Sequence, residues 1–94
     1  MSGNQLKVSY RDADLKVEFD KHQSARLLIN NISRHEQRAD SVPCTLRLTS
    51  TVQTDYEWHE FIEAIVHFDE ETVSVQLIAN NTEVASESFQ REKV

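Results

Sequence analysis

The sequence predicts an α+β domain in which one amphipathic helix packs on an antiparallel β-sheet. Apolar and polar residues alternate over residues 5–10, 15–19 and 44–52, which is typical of half-buried strands. Apolar residues then follow helical spacing over residues 55–68, and alternation returns from Thr72. A length of 94 residues suits one domain, so we expect residues 1–94 to form a single folded unit.

The first half of the chain predicts four strands. Residues 5–10 and 15–19 form a hairpin around an aspartate-containing turn, and residues 25–32 form a third, more apolar strand. Residues 30–42 are polar without periodicity, so we interpret them as the longest loop. Residues 44–52 show the clearest alternation in the chain and predict the fourth strand.

The prediction of a helix near 55–68 depends on a capping signal at its N-terminus and on a continuous apolar face. Thr54 and Glu57 have the spacing of a capping box, in which both side chains satisfy free amides at a helix N-terminus. An apolar face then follows at about 100° per residue, made of Trp58, Phe61, Ile62, Ile65, Val66 and Phe68.

The end of the chain predicts a second hairpin. Residues 73–79 and 82–89 alternate, and Asn80-Asn81 suits the positive φ values of a tight turn. Residues 90–94 are expected to be a disordered tail. The predicted order is β-β-β-β-α-β-β, with about six strands, and we expect no internal repeat.

The alternative fold is an all-β sandwich. Residues 61–68 also fit a strand with Ile62, Ala64, Val66 and Phe68 on one side, and Asp69 to Thr72 then form a turn. That interpretation gives seven strands. The capping box and the continuous helical face favour the helix.

Composition and charge restrict the function classes. The net charge of −6 disfavours nucleic-acid and membrane binding, because both need clustered lysine and arginine. Residues 21–47 hold five basic and two acidic side chains, whereas residues 48–94 hold two basic and ten acidic ones. Cys44 is the only cysteine, so no intramolecular disulfide forms, and we expect a reducing, cytoplasmic location.

The candidate catalytic and metal-binding residues do not form a recognisable site. On a helix, His59, Glu63 and His67 follow one row, but its ends are about 12 Å apart, too far to share one ion. Cys44 falls on the apolar side of its strand, where cysteine acts as a small hydrophobe. We therefore expect no metal, no cofactor and a non-enzymatic domain.

Two function classes fit these patterns. The first is a regulatory or protein-binding module, able to self-associate, that meets a basic partner through the acidic residues of the helix and the following turn. These residues are Tyr56, Glu57, Glu60, Glu63, Asp69, Glu70 and Glu71. The alternative is a domain or enzyme that binds a small anionic ligand with Arg34, His35 and Arg38 of the long polar loop.

Overall fold

The structure, a computed structural model, is all-β and describes residues 3–10, 13–20, 23–53 and 59–90. Its eight strands are β1 (Gly3–Tyr10), β2 (Ala13–Asp20), β3 (Ser24–Ile29), β4 (Ile32–Arg38), β5 (Cys44–Gln53), β6 (His59–Phe68), β7 (Thr72–Ala79) and β8 (Thr82–Gln90). The prediction of an α+β fold with one amphipathic helix is therefore wrong. Among the described residues, no helix has the length and apolar character needed to cross a membrane.

The strands form two antiparallel four-stranded sheets, each connected in simple sequence order. Sheet A has the order β1-β2-β3-β4, and sheet B has the order β5-β6-β7-β8. Alternate side chains of both sheets meet in a single hydrophobic core. Its fully buried members include Leu15, Val17, Leu27, Leu48, Ile62, Val66, Phe68 and Leu77.

Strand β6 occupies most of the segment that was expected to be helical. It pairs with β5 on one side and with β7 on the other. Its alternate residues Ile62, Ala64, Val66 and Phe68 are all fully buried. The other face of β6 mixes Phe61 and Ile65 with the polar Glu63 and His67. The extra apolar residues on that face are what make the segment fit helical spacing as well as strand spacing.

The all-β alternative thus describes the fold, with eight strands rather than seven. Thr54 and Glu57, which suggested a helix start, lie outside the described residues. The turn at residues 69–71 was part of that alternative, and the structure has a turn there, closed by the Asp69 amide donating to the Thr72 carbonyl over 2.9 Å.

Strand β4 replaces most of the expected long loop. The chain reverses at Asn30 and Asn31, whose φ angles of 53° and 66° suit a two-residue hairpin turn. The Asn30 side chain fixes the turn, because its Oδ1 accepts a hydrogen bond of 2.9 Å from the Asp14 amide. A register shift between Leu27 and Leu28 marks a β-bulge in this hairpin.

The second half of the chain repeats this hairpin. The turn predicted at Asn80-Asn81 is confirmed, with φ angles of 50° and 67°. The Asn80 Oδ1 accepts a 2.9 Å hydrogen bond from the Phe61 amide, as Asn30 does from Asp14, and the register shifts between Leu77 and Ile78. Contrary to expectation, sheets A and B are therefore equivalent structural units.

Candidate functional site

The acidic residues expected on one helix face are separated by the strand. Glu60 and Glu63 differ by an odd number of positions, so their side chains leave β6 on opposite faces. Both are buried, at 4% and 5% exposure, and Glu63 forms an ion pair with Arg47 of β5. Tyr56 and Glu57 lie outside the described residues.

The remaining acidic candidates lie at the far end of the same strand. Asp69, Glu70 and Glu71 are exposed in the turn between β6 and β7. Glu60 is near the opposite end of β6, about 30 Å away at the usual rise per residue. The structure therefore does not bring the seven acidic and aromatic candidates into one surface.

The basic candidates lie on a strand rather than in a loop. Leu28 pairs with Ser33 and Leu27 with His35, so Arg34 is the extra residue of the β-bulge. Arg34 and Arg38 are exposed and about 13 Å apart along β4. His35 is half-buried and points toward the core side, so the three residues do not surround one pocket.

His35 instead joins the two sheets at the β4–β5 junction. Its Nδ1 accepts a 2.9 Å hydrogen bond from the Thr49 amide of β5. Gln37, which the sequence did not single out, donates from Nε2 to the Arg47 carbonyl over 3.0 Å. The two β4 side chains also contact each other, with their Nε2 atoms 3.2 Å apart.

These contacts satisfy the backbone edge of β5. The Asn80 amide donates to the Phe61 carbonyl, so the backbone N–H and C=O groups of odd-numbered β6 residues point toward β7. Those of even-numbered β6 residues point toward β5. The backbone groups of Arg47 and Thr49 therefore point away from β6, toward β4. Without His35 and Gln37 they would form an unpaired strand edge.

The β8–β1 junction is the equivalent place on the other side of the sandwich. His35 pairs with Leu27 and Gln37 with Ala25, whereas 50 positions later Ala85 pairs with Leu77 and Glu87 with Val75. In β8, Ala85 and Glu87 therefore occupy the positions of the two linking residues of β4.

The edge of β1 is equivalent to the edge of β5 in the same way. Leu6 pairs with Val17 in sheet A, and Leu48 pairs with Ala64 in sheet B. By this register Gln5 and Lys7 correspond to Arg47 and Thr49. The Asn30 amide donates to the Asp14 carbonyl over 2.8 Å, so the backbone groups of even-numbered β2 residues point toward β3. The backbone groups of odd-numbered β1 residues, including Gln5 and Lys7, therefore point away from β2, as those of Arg47 and Thr49 point away from β6.

The residues at the β8–β1 junction cannot close it as the residues of β4 close the β4–β5 junction. Ala85 has no hydrogen-bonding side chain, and the carboxylate of Glu87 cannot donate to a carbonyl oxygen. Within the described residues, β1 and β8 are edge strands of separate sheets and do not pair in a β-ladder. We refer to this place as the open junction.

Apolar side chains line the open junction without being fully buried. On β5, Leu48 is fully buried, whereas Leu6, its counterpart on β1, is only partly buried. The ring of Phe89 packs edge-on against Phe19, with centroids 4.9 Å apart. The half-buried apolar residues of β1 and β8 are Leu6, Val8, Tyr10, Val84, Ala85 and Phe89.

The outer face of sheet B has a shallow depression of about 520 Å³, with hydroxyl groups and His67 in its lining. The ring Nδ1 of His67 lies 2.7 Å from the Thr45 hydroxyl, and the carboxylate of Glu63 contacts Arg47. No group of three potential metal ligands occurs within the part of the chain that the structure describes.

Together the fold and the junction define a small β-sandwich of two equivalent four-stranded units with one closed and one open side. Comparison with protein families, with curated proteins and with solved structures gives no match.

Proposed function

We propose that this chain is a non-catalytic protein-binding domain whose binding surface is the open β8–β1 junction. The observation that carries this proposal is the contrast between the two junctions. His35 and Gln37 bond to the edge of β5, whereas Ala85 and Glu87 at the equivalent positions of β8 cannot make the same two bonds to β1. An exposed strand edge is a template on which an extended segment of another chain forms main-chain hydrogen bonds.

The apolar side chains of the junction support the same proposal. A partner strand beside β1 would place alternate side chains over Leu6, Val8 and Phe89, which the domain itself leaves half-buried. Burial of apolar area contributes roughly 25 cal/mol per Å², so this strip supplies affinity that backbone pairing alone does not.

The charge of the junction agrees with a basic partner. Glu87 is exposed on β8 at the junction, and the net charge of the chain is −6. Glu87 is not among the acidic residues that the sequence predicted as a binding surface. Less supports the anionic-ligand alternative, because Arg34 and Arg38 lie apart on β4 and His35 already contacts β5.

The experiment that tests this proposal compares the full chain with Lys7→Pro and Lys7→Ala. The Lys7 amide points away from β2, so proline removes an outward donor without removing a ladder bond, whereas alanine removes only the charge. A photoreactive side chain at Gln5 should crosslink a cellular protein, and Lys7→Pro should abolish that crosslink while Lys7→Ala retains it.

A photoreactive side chain at Thr45, which is exposed on β5 on the side of the closed junction, provides the control and should give no such crosslink. Amide spectra establish that each variant keeps the fold. Crosslinking that is equally strong from Gln5 in the folded Lys7→Pro variant would contradict the proposal.

A further inference from the structure

We infer that the open junction takes an extended segment of a partner protein that pairs with β1 and places a lysine or arginine side chain against the Glu87 carboxylate. This inference rests on the proposed protein-binding function. It adds which strand the partner extends and which chemical group it must present.

The position of Glu87 follows from its counterpart in the closed junction. Gln37 reaches the Arg47 carbonyl with its side-chain amide over 3.0 Å. Glu87 occupies the equivalent register position, its side chain has the same length, and Gln5 corresponds to Arg47. The junction therefore has a carboxylate where the closed junction has a donor.

A partner strand that covers the Glu87 carboxylate removes its water and must supply a hydrogen-bond donor instead. The main-chain amides of that strand bond to the outward carbonyls of β1, so the donor for Glu87 has to come from a side chain. An ammonium or guanidinium group has several donors, and its hydrogen bond to a carboxylate is charge-assisted. A cation is thus the side chain that allows a strand to cover Glu87.

A second copy of this chain does not supply that cation. The β1 side chains that face the core side are Leu6, Val8 and Tyr10, and those of β8 include Ala85 and Phe89. If either strand of a second copy covered the junction, it would enclose the Glu87 carboxylate among apolar groups. An inward-facing charge at an edge disfavours such self-pairing and selects a partner with the opposite charge.

The test uses three short peptides and the full-length chain. Each peptide alternates valine with serine or threonine, and its central valine is replaced by lysine, by norleucine or by glutamate. Norleucine keeps the alkyl chain of lysine and removes the ammonium group. Binding is measured by titration of the amide signals of Gln5, Lys7 and Ser9, whose backbone groups face the junction.

The lysine peptide should shift the β1 amides and bind about tenfold more tightly than the norleucine peptide, with the glutamate peptide weakest. In Glu87→Gln the advantage of lysine over norleucine should disappear. Glu83→Gln is the matched control, because it removes the same charge from the same strand on its outer face, and it should keep the advantage.

Ala85→His combined with Glu87→Gln should copy the closed junction onto the open one. This variant should bind none of the peptides, and it should unfold at a higher denaturant concentration than the natural chain. If it does not fold, the comparison of Glu87→Gln with Glu83→Gln still decides the role of the carboxylate.

The outcomes separate this inference from the proposed function. Equal binding of the lysine and norleucine peptides, or an unchanged lysine preference in Glu87→Gln, overturns the role of the cation and leaves edge binding intact. If none of the peptides shifts the amide signals of β1, pairing with β1 is refuted. A concentration-dependent dimer that Lys7→Pro abolishes would show that the occupant is a second copy.

Discussion

Removing the two side chains that close the β4–β5 junction tests the contrast on which the proposed site depends. We consider His35→Leu, Gln37→Leu and the double variant. Leucine keeps a side chain of comparable size on β4 but removes the acceptor for the Thr49 amide and the donor for the Arg47 carbonyl.

The expected loss of stability follows from the burial of these groups. Thr49 is half-buried, so its unpaired amide should cost about 1–2 kcal/mol, whereas the more exposed Arg47 carbonyl should cost about 0.5–1 kcal/mol. His35 and Gln37 contact each other, so the two losses should not add fully. We expect about 2 kcal/mol for the double variant, or roughly a 10 °C fall in Tm for a domain of this size.

Urea unfolding followed by circular dichroism measures the change in free energy, and amide hydrogen exchange reports on the Thr49 N–H directly. His35→Leu should increase the exchange rate of that amide. Glu87→Leu is the matched control, because it makes the equivalent substitution at the open junction. We expect it to alter the free energy of unfolding by no more than about 0.5 kcal/mol. If the double variant were as stable as the natural chain and Thr49 stayed protected, the two junctions would not differ as described.

Three further predictions concern the core, the turns and a surface carboxylate. Phe68→Ala should lower the unfolding free energy by about 3–5 kcal/mol in urea titrations, because the ring is fully buried; a loss under 1 kcal/mol would contradict its core position. Asn30→Ala should cost about 1–2 kcal/mol, and Asn30→Gly should cost less, because glycine tolerates φ of 53°; equal losses would exclude backbone strain. The hydrogen bond from Arg26 lowers the pKa of Glu18, so Arg26→Met should raise that pKa in carboxyl NMR titrations, whereas an unchanged titration would show that the ion pair does not form in solution.

The sign of the Glu18 effect defines its pH range. Since the pKa of this carboxyl is lower in the folded chain than in the unfolded one, the stabilisation is complete above the unfolded pKa. It is lost as the pH falls through the folded pKa. The contribution is a few tenths of a kcal/mol, because the Arg26 side chain is 44% exposed and solvent screens the pair.

The candidate site was accessible to sequence reasoning only in part. The acidic character of the second half of the chain and the exposed turn at residues 69–71 could be read from the residues themselves. Glu87 and Gln37 could not be singled out, because each is an ordinary polar residue in its own strand. Their roles depend on which strand lies beside them. The contrast between Gln37 as a donor and Glu87 as an acceptor becomes visible only when sheets A and B are compared position by position.

The sequence by itself determined the strands with clear alternation and the turn at Asn80-Asn81, because both are local properties of side-chain period and backbone φ. Tertiary structure decided the rest. Residues 61–68 carry apolar side chains that fit both helical and strand spacing, and pairing with β5 and β7 makes them a strand. Strand β4 has no apolar period of its own, and its bulge and its pairing with β3 turn His35 and Gln37 toward β5. Hydrogen bonds between residues distant in sequence select the strand conformation in both segments, and such bonds cannot be inferred from a local sequence pattern.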